Sequence, residues 1–208
     1  MRVLIEKEAE DLLEKEGFPV AKRFTAKNSK DAIVYAKKLG YPVTLKVISR
    51  SILHKSDVGG VKLDLRTEEE VKKAFSELSK LNGFEGVLIQ RFRDGRFILI
   101  GLKEDATFGH AIAFGSGGIY TEVLKDITFR VCPIEDKDAE EMIKETKAYA
   151  ILKGARGQPS IDFNKLKKLL VKFSRLPLKY PNIKELDVNP LLLTDKFEEI
   201  IDARIIFS

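Results

Sequence analysis

At Gly86 the periodicity of the chain changes. Downstream, "GVLIQRF", "RFILIGLKED" and "HAIAFG" follow one another as strand-length apolar runs, with "TFRVCPI" a fourth. Upstream, helix-length and strand-length patterns alternate. A chain that first alternates and then runs strand after strand fits the α+β class, built as two lobes. We set the first lobe, N-terminal helix included, at residues 1–88 and the second at residues 89–208, meeting near Gly86 to Gln90. Two lobes about one cleft are a common way to enclose a ligand.

Local signals fill in the elements. Residues 5–16 read as an amphipathic helix stopped at Gly17 and Pro19, and a short strand is expected near 20–25. A helix over 29–39 opens at Asn28-Ser29 and stops at Gly40. Thr67 and Glu70 have the spacing of a capping box and open a helix to about Lys80. "VKLDL" reads as a strand with Val61, Leu63 and Leu65 on one face. Helices are expected at about 137–148 and 162–175. The tail reads as three strands, "IKELDV", "PLLLT" and "EEIIDARIIF".

Composition excludes several classes. The formal net charge is +5, and the 37 Lys and Arg are interleaved with 32 Asp and Glu. Without a dense basic run, no nucleic-acid partner is expected. No segment has 18 apolar residues and the N-terminus lacks an apolar h-region, so neither a membrane span nor a standard secretion signal is expected. Cys132 is the single cysteine; it forms no intrachain disulfide, suits a reducing cytosol, and in "FRVCPI" reads as a buried, inert thiol. Abundant Lys and Glu, two Gln and no Trp resemble the usage of a thermophile.

Four stretches could carry chemistry. In "VTLKVI", Val43, Leu45 and Val47 share one face, and Thr44, Lys46 and Ile48 the other. A lysine at the centre of an apolar strand is costly to bury unless it meets an anion; the alternative is an edge-strand lysine that reaches solvent. "HKSDVGG" follows, with His54, Lys55, Gly59 and Gly60. Its glycines allow close backbone approach to a phosphate, or simply make a hairpin; the spacing is not that of a Walker loop. "FGSGGIYTE" is a second glycine-rich loop, ending at Glu122. In "ELDVNP", Glu185, Asp187 and Asn189 face one side, and Asp202 in "IIDARII" lies on a strand able to pair alongside. Oxygen ligands on neighbouring strands suit Mg²⁺; a solvated acidic strand with an Asn-Pro turn explains the same residues. His110 is assigned no role.

In this order, "GYPVTLKVIS", "ILHKSDVGGVKLDL", "GVLIQ", "FGSGGIYTEVLKDITFRVCPI", "AYAILKGARG", "ELDVNPLLL" and "IDARI" resemble the ATP-grasp (beta) subunits of ADP-forming acyl-CoA synthetases, relatives of succinyl-CoA ligase. The resemblance runs from about residue 17 to the end. It implies an ATP-grasp fold, two α+β lobes with the nucleotide between them. The implied reaction is acyl-CoA + ADP + phosphate ⇌ acid + ATP + CoA, with ADP/ATP and Mg²⁺ bound here. Acyl-phosphate chemistry is assigned to a CoA-binding alpha subunit, in a heterotetramer of the cytoplasm. Carried over by motif, His54 is a phosphohistidine carrier and Lys46 contacts nucleotide phosphates. The Lys55 to Gly60 loop, with Gly59 and Gly60, closes over them. Gln90 lies where the adenine is read, and Asp187, Asn189 and Asp202 surround Mg²⁺.

The chain also departs from the family. Relatives carry Glu two residues beyond the glycine matched to Gly95, where this chain has Phe97; Asp94 could substitute only by a shift of register. Arg50 and Ser51 stand where Pro-Asp is common. Two other functions remain open: a non-catalytic nucleotide-binding or regulatory module, favoured by Phe97, and a free-standing ATP-grasp carboxylate ligase. The second needs no histidine carrier.

Overall fold

A computed structural model describes residues 1–52, 55–118, 126–154 and 157–208. The chain divides into two compact units, Ala21–Asp94 and Met1–Val20 with Gly95–Ser208.

The unit Ala21–Asp94 holds a four-stranded antiparallel sheet in the order β2-β5-β3-β4. Its strands are β2 (Arg23–Ala26), β3 (Val43–Ile48), β4 (Val61–Leu65) and β5 (Gly86–Arg91). Helices α2 (Ser29–Leu39) and α3 (Glu68–Leu78) cover one face. They bury Ala32, Ala36, Val71 and Leu78 against Val43, Leu45, Val47 and Ile89. Both helices begin at the expected caps. The Asp31 N–H donates to Asn28 Oδ1 (2.9 Å), and the Glu70 N–H donates to Thr67 Oγ1 (3.2 Å). The Glu70 carboxylate turns back one residue further than a capping box requires and accepts from the Arg66 N–H.

β4 does not keep the expected face. Leu63 is 60% exposed, because Asp64 has φ +54° and the register with β3 shifts between Val43 and Leu45. A left-handed residue breaks the two-residue alternation, and Asp is among the types that tolerate it. Lys62 therefore lies opposite Leu45 on the helix side, where its Nζ pairs with Glu77 of α3 at 2.6 Å.

The other unit is built on a seven-stranded sheet, order β1-β11-β9-β6-β7-β8, with β10 also on β9. Its strands are β1 (Arg2–Leu4), β6 (Arg96–Asp105), β7 (Gly109–Ser116), β8 (Ile127–Val131), β9 (Ile183–Leu193), β10 (Glu198–Ile200) and β11 (Ala203–Phe207). Helices α1 (Glu6–Lys15), α4 (Asp136–Glu145), α5 (Ala148–Leu152), α6 (Phe163–Ser174) and α7 (Leu176–Lys179) complete it. Ala9 and Leu13 of α1 are fully buried in this core, and Phe18 meets Phe173 with ring centroids 4.2 Å apart. The N-terminal helix thus belongs with the second sheet, whereas the sequence placed it with the first, and the division falls at Asp94/Gly95 rather than after residue 88.

The tail differs too. "IKELDV" and "PLLLT" form one strand, β9, which runs through Asn189-Pro190. The expected third strand divides into β10 and β11, which pair β9 on either side of that dipeptide. Ile201 and Asp202 fall between β10 and β11; Pro190 has no N–H to donate, but its carbonyl accepts from the Ile201 N–H at 3.0 Å. No helix among the described residues is long and apolar enough to cross a membrane.

Candidate functional site

β3 lies between β5 and β4, so Lys46 is not on an edge strand; it is only 5% exposed. Its neighbours on the face turned away from α2 and α3 follow from the register. Leu88 is opposite Lys46 and Gln90 opposite Thr44, and all of these are buried. Lys46 and Gln90, predicted separately, therefore share one face of one sheet. Of the two readings of Lys46, the solvent-reaching edge lysine is removed.

The loop from β3 to β4 is fastened at both ends. At its start, the Ser49 and Ser51 hydroxyls each donate to the Asn82 carbonyl (3.2 Å) and lie 2.9 Å from each other. At its end, the Gly59 N–H donates to Ser56 O (3.2 Å) and the Gly60 N–H to Lys55 O (2.7 Å). Gly59 has φ +68°. A Cβ on Gly60 would lie 2.7 Å from Val47 Cγ1 and 2.8 Å from Lys55 O. In this conformation both glycines serve the turn, with their N–H groups spent inside it. His54 lies outside the described residues, as does Glu122.

In the second unit, Leu186 and Val188 point into the core, and Glu185, Asp187 and Asn189 lie on the opposite face. Arg204, directly across from Asp187, donates to Glu185 Oε1 at 2.6 Å. Burial pushes the Asp187 carboxyl up to about 6; Arg204 opposes the rise, and Asp202 and Glu185 add to it. Asn189 and Asp202 meet between β10 and β11, the Asn189 N–H donating to Asp202 O at 3.2 Å. Among the described residues no group of three His, Cys, Asp or Glu is placed to hold a metal; the expected set is two carboxylates and an amide. Its chemistry fits a hard divalent cation. All its donors are oxygens, and the negative charges that raise the Asp187 carboxyl are what a cation would offset.

The second glycine-rich loop starts beside this strand. Gly118 has φ +79°, and its N–H donates to Asn189 Oδ1 at 2.9 Å. The Gly117 N–H donates to Phe97 O at 3.0 Å. Phe97 is 38% exposed and borders Gly118.

Asp126 is a residue that the sequence reading passed over. Its Oδ2 accepts from the Ser116 hydroxyl (2.7 Å) and the Ala148 N–H (3.0 Å), and its Oδ1 accepts from the Lys147 N–H (2.8 Å). Burial pushes this carboxyl up, but these bonds and the Lys147 charge outweigh it and hold the group below its ordinary value. It ties the end of β7 to the start of α5. Nothing in "LKDITF" signals it, since its partners lie at separations of 10 to 22 residues.

His110 Nε2 sits 2.6 Å from Ile183 O, a bond between strands. Cys132 is half-buried rather than buried, and desolvation pushes its thiol up to about 12.

The chain belongs to the ATP-grasp family, whose domain model matches residues 1–207. Within that family it is 41% identical to the beta subunit of acetate–CoA ligase (ADP-forming) I of Pyrococcus furiosus, over 99% of this chain and 92% of that one. It is 42% identical to acetate–CoA ligase (ADP-forming) I of Archaeoglobus fulgidus, spanning 95% of itself but 30% of that longer chain. Among solved structures, acetyl-coenzyme A synthetase 1 of Ca. Korarchaeum cryptofilum, in complex with coenzyme A and Ca-AMPCP, superposes with a TM-score of 0.92 at 40% identity, covering 100% of this chain and 94% of that one. The same synthetase is also known with Mg-AMPPCP and its phosphohistidine segment pointing towards the nucleotide binding site.

Proposed function

We propose that this chain is the nucleotide-binding subunit of an ADP-forming acyl-CoA synthetase and relays a phosphoryl group between a CoA-binding partner subunit and ADP. The observation that carries this reading is the match to a beta subunit over 92% of that subunit's own length, which is more than a shared nucleotide-binding core would give. The longer Archaeoglobus ligase, of which this chain spans 30%, supports a partner that supplies the remaining chemistry.

In this reading the partner converts acyl-CoA and phosphate into acyl phosphate and CoA, then takes the phosphoryl group onto its own carrier as the acyl–phosphate bond breaks and the acid leaves. A ring nitrogen of His54 attacks the phosphorus, the bond to the partner's carrier breaks, and the ring proton leaves to solvent. A β-phosphate oxygen of ADP then attacks, the phosphorus–nitrogen bond breaks, the released ring takes a proton back from solvent, and neutral His54 is restored with ATP as product. Lys46 holds phosphate oxygens by charge, and Gln90 on the same face helps seat the base. The turn at Lys55, Gly59 and Gly60 would have to give up its internal hydrogen bonds for those N–H groups to meet phosphate. Asn189, Asp202 and Asp187 hold Mg²⁺, which when bound neutralises phosphate charge. The acid is selected by the partner.

The test is labelling. Mixed with its partner, acyl-CoA and radiolabelled phosphate but no ADP, the chain acquires an acid-labile, alkali-stable phosphate. His54→Ala loses that label and ATP synthesis but still binds Mg·ADP. Near-normal ATP synthesis by His54→Ala, or a label elsewhere on this chain, overturns the carrier role.

A further inference from the structure

Asn189 can serve a cation only through Oδ1; a rotated amide would present its NH₂ group instead. The neighbours of the amide decide which way it points. The Gly118 N–H, 2.9 Å from Oδ1, is a donor and accepts only the oxygen in that place. An amide oxygen has two lone pairs, so this bond leaves one for a metal.

The position of Gly118 is itself set by Phe97. The Gly117 N–H is bonded to the Phe97 carbonyl at 3.0 Å. A Cβ on Gly117 would fall 2.3 Å from the Ile98 carbonyl carbon, so the turn lies flat on the start of β6. The Phe97 side chain then fills the flank of Gly118. From the place where a Gly118 Cβ would stand, Phe97 Cβ is 3.6 Å away and ring atoms Cγ and Cδ2 are 3.9 Å away. An aromatic ring that is 38% exposed contributes little as core. Here it stands beside Gly118, whose N–H holds Asn189 Oδ1, on the strand adjacent to β9.

We propose that Phe97 is a positioning residue for divalent-cation binding: by seating Gly118 it fixes the Asn189 amide with its oxygen toward the metal. This rests on the reading of Asn189 as a cation ligand. Groups that orient a metal ligand typically contribute on the order of 10–100-fold in metal affinity, and Phe97→Ala is expected to weaken binding by that order.

Mn²⁺ is the probe, its free fraction measured by electron paramagnetic resonance with the full chain, with and without ADP. Phe97→Tyr, which keeps the ring, retains wild-type affinity. Phe97→Leu replaces Phe97→Ala if the alanine variant does not fold. Amide exchange at Gly118 provides a second readout, and is faster in the variant that lacks the ring. Asn189→Ala separates this inference from its basis. If Asn189→Ala weakens Mn²⁺ binding and Phe97→Ala does not, the positioning role is overturned alone. If neither does, the metal reading itself fails. Equal losses with Phe97→Tyr and Phe97→Ala also overturn the inference, since the ring would then not be the cause.

Discussion

Replacing Asp126 tests whether a single buried carboxylate holds the base of the glycine-rich loop. It accepts from the Ser116 hydroxyl at 2.7 Å, the Lys147 N–H at 2.8 Å and the Ala148 N–H at 3.0 Å. In Asp126→Asn, one oxygen still accepts, the Ser116 hydroxyl can turn to accept from the new NH₂, and one backbone N–H is left facing a donor. A buried unsatisfied donor costs about 1–3 kcal/mol, so about 2 kcal/mol is expected for Asn. Asp126→Ala leaves both backbone donors without a partner, and about 4 kcal/mol is expected from the same range. At 2–4 °C per kcal/mol for a chain of this size, Asp126→Ala should lower the melting temperature by roughly 8–16 °C.

The pH dependence has a definite sign. The folded carboxyl titrates below its unfolded value, so on the acid side the folded state binds fewer protons than the unfolded state. The stabilisation is complete above the unfolded value, near pH 4, and is lost as pH falls through the folded value. Urea denaturation of wild type and Asp126→Asn is therefore expected to diverge most at pH 7 and to converge in acid. A difference below about 0.5 kcal/mol at pH 7, the scale of an ordinary surface change, refutes the reasoning, as does a difference that persists unchanged in acid.

Two further substitutions probe the first unit. Gly60→Ala drives a methyl group to 2.7 Å from Val47 Cγ1, and is expected to destabilise by about 1–3 kcal/mol in thermal unfolding. Lys46→Met should weaken ADP binding by about 10–100-fold, the value of a hydrogen bond to a charged group, in calorimetric titration. ADP affinity equal to wild type would remove Lys46 from the phosphate site.

What the sequence revealed depended on whether the cause was local. The alternation of "VTLKVI" puts Val43, Leu45 and Val47 in one core, and so forces Lys46 onto the face that also bears Gln90. Asn28 and Thr67 cap their helices because a side-chain oxygen three residues ahead of an N–H is a local arrangement. The apolar stripe of α1, by contrast, fits either sheet, and nothing in it names β11 as its neighbour. The displaced Leu63 follows from one left-handed residue, Asp64, which sequence permits but does not require. That Asn189 and Asp202 come together was legible in the sequence, whereas the Gly118 N–H on Asn189 joins residues 71 apart, a closeness created only by the sheet.

The pairing of β1 with β11 sets Arg2 opposite Phe207, and Val3 opposite Ile206. Paired backbones lie about 5 Å apart, so a bridge of a few residues would join the two ends of the chain. Circular permutation should be tolerated, with new ends opened in an exposed turn such as that around Phe108. The same geometry bears on gene fusion. A polypeptide attached before β1 and another attached after β11 would leave from the same end of this strand pair. A longer ligase can therefore carry this unit at either end or in its middle, without the fold having to span a distance.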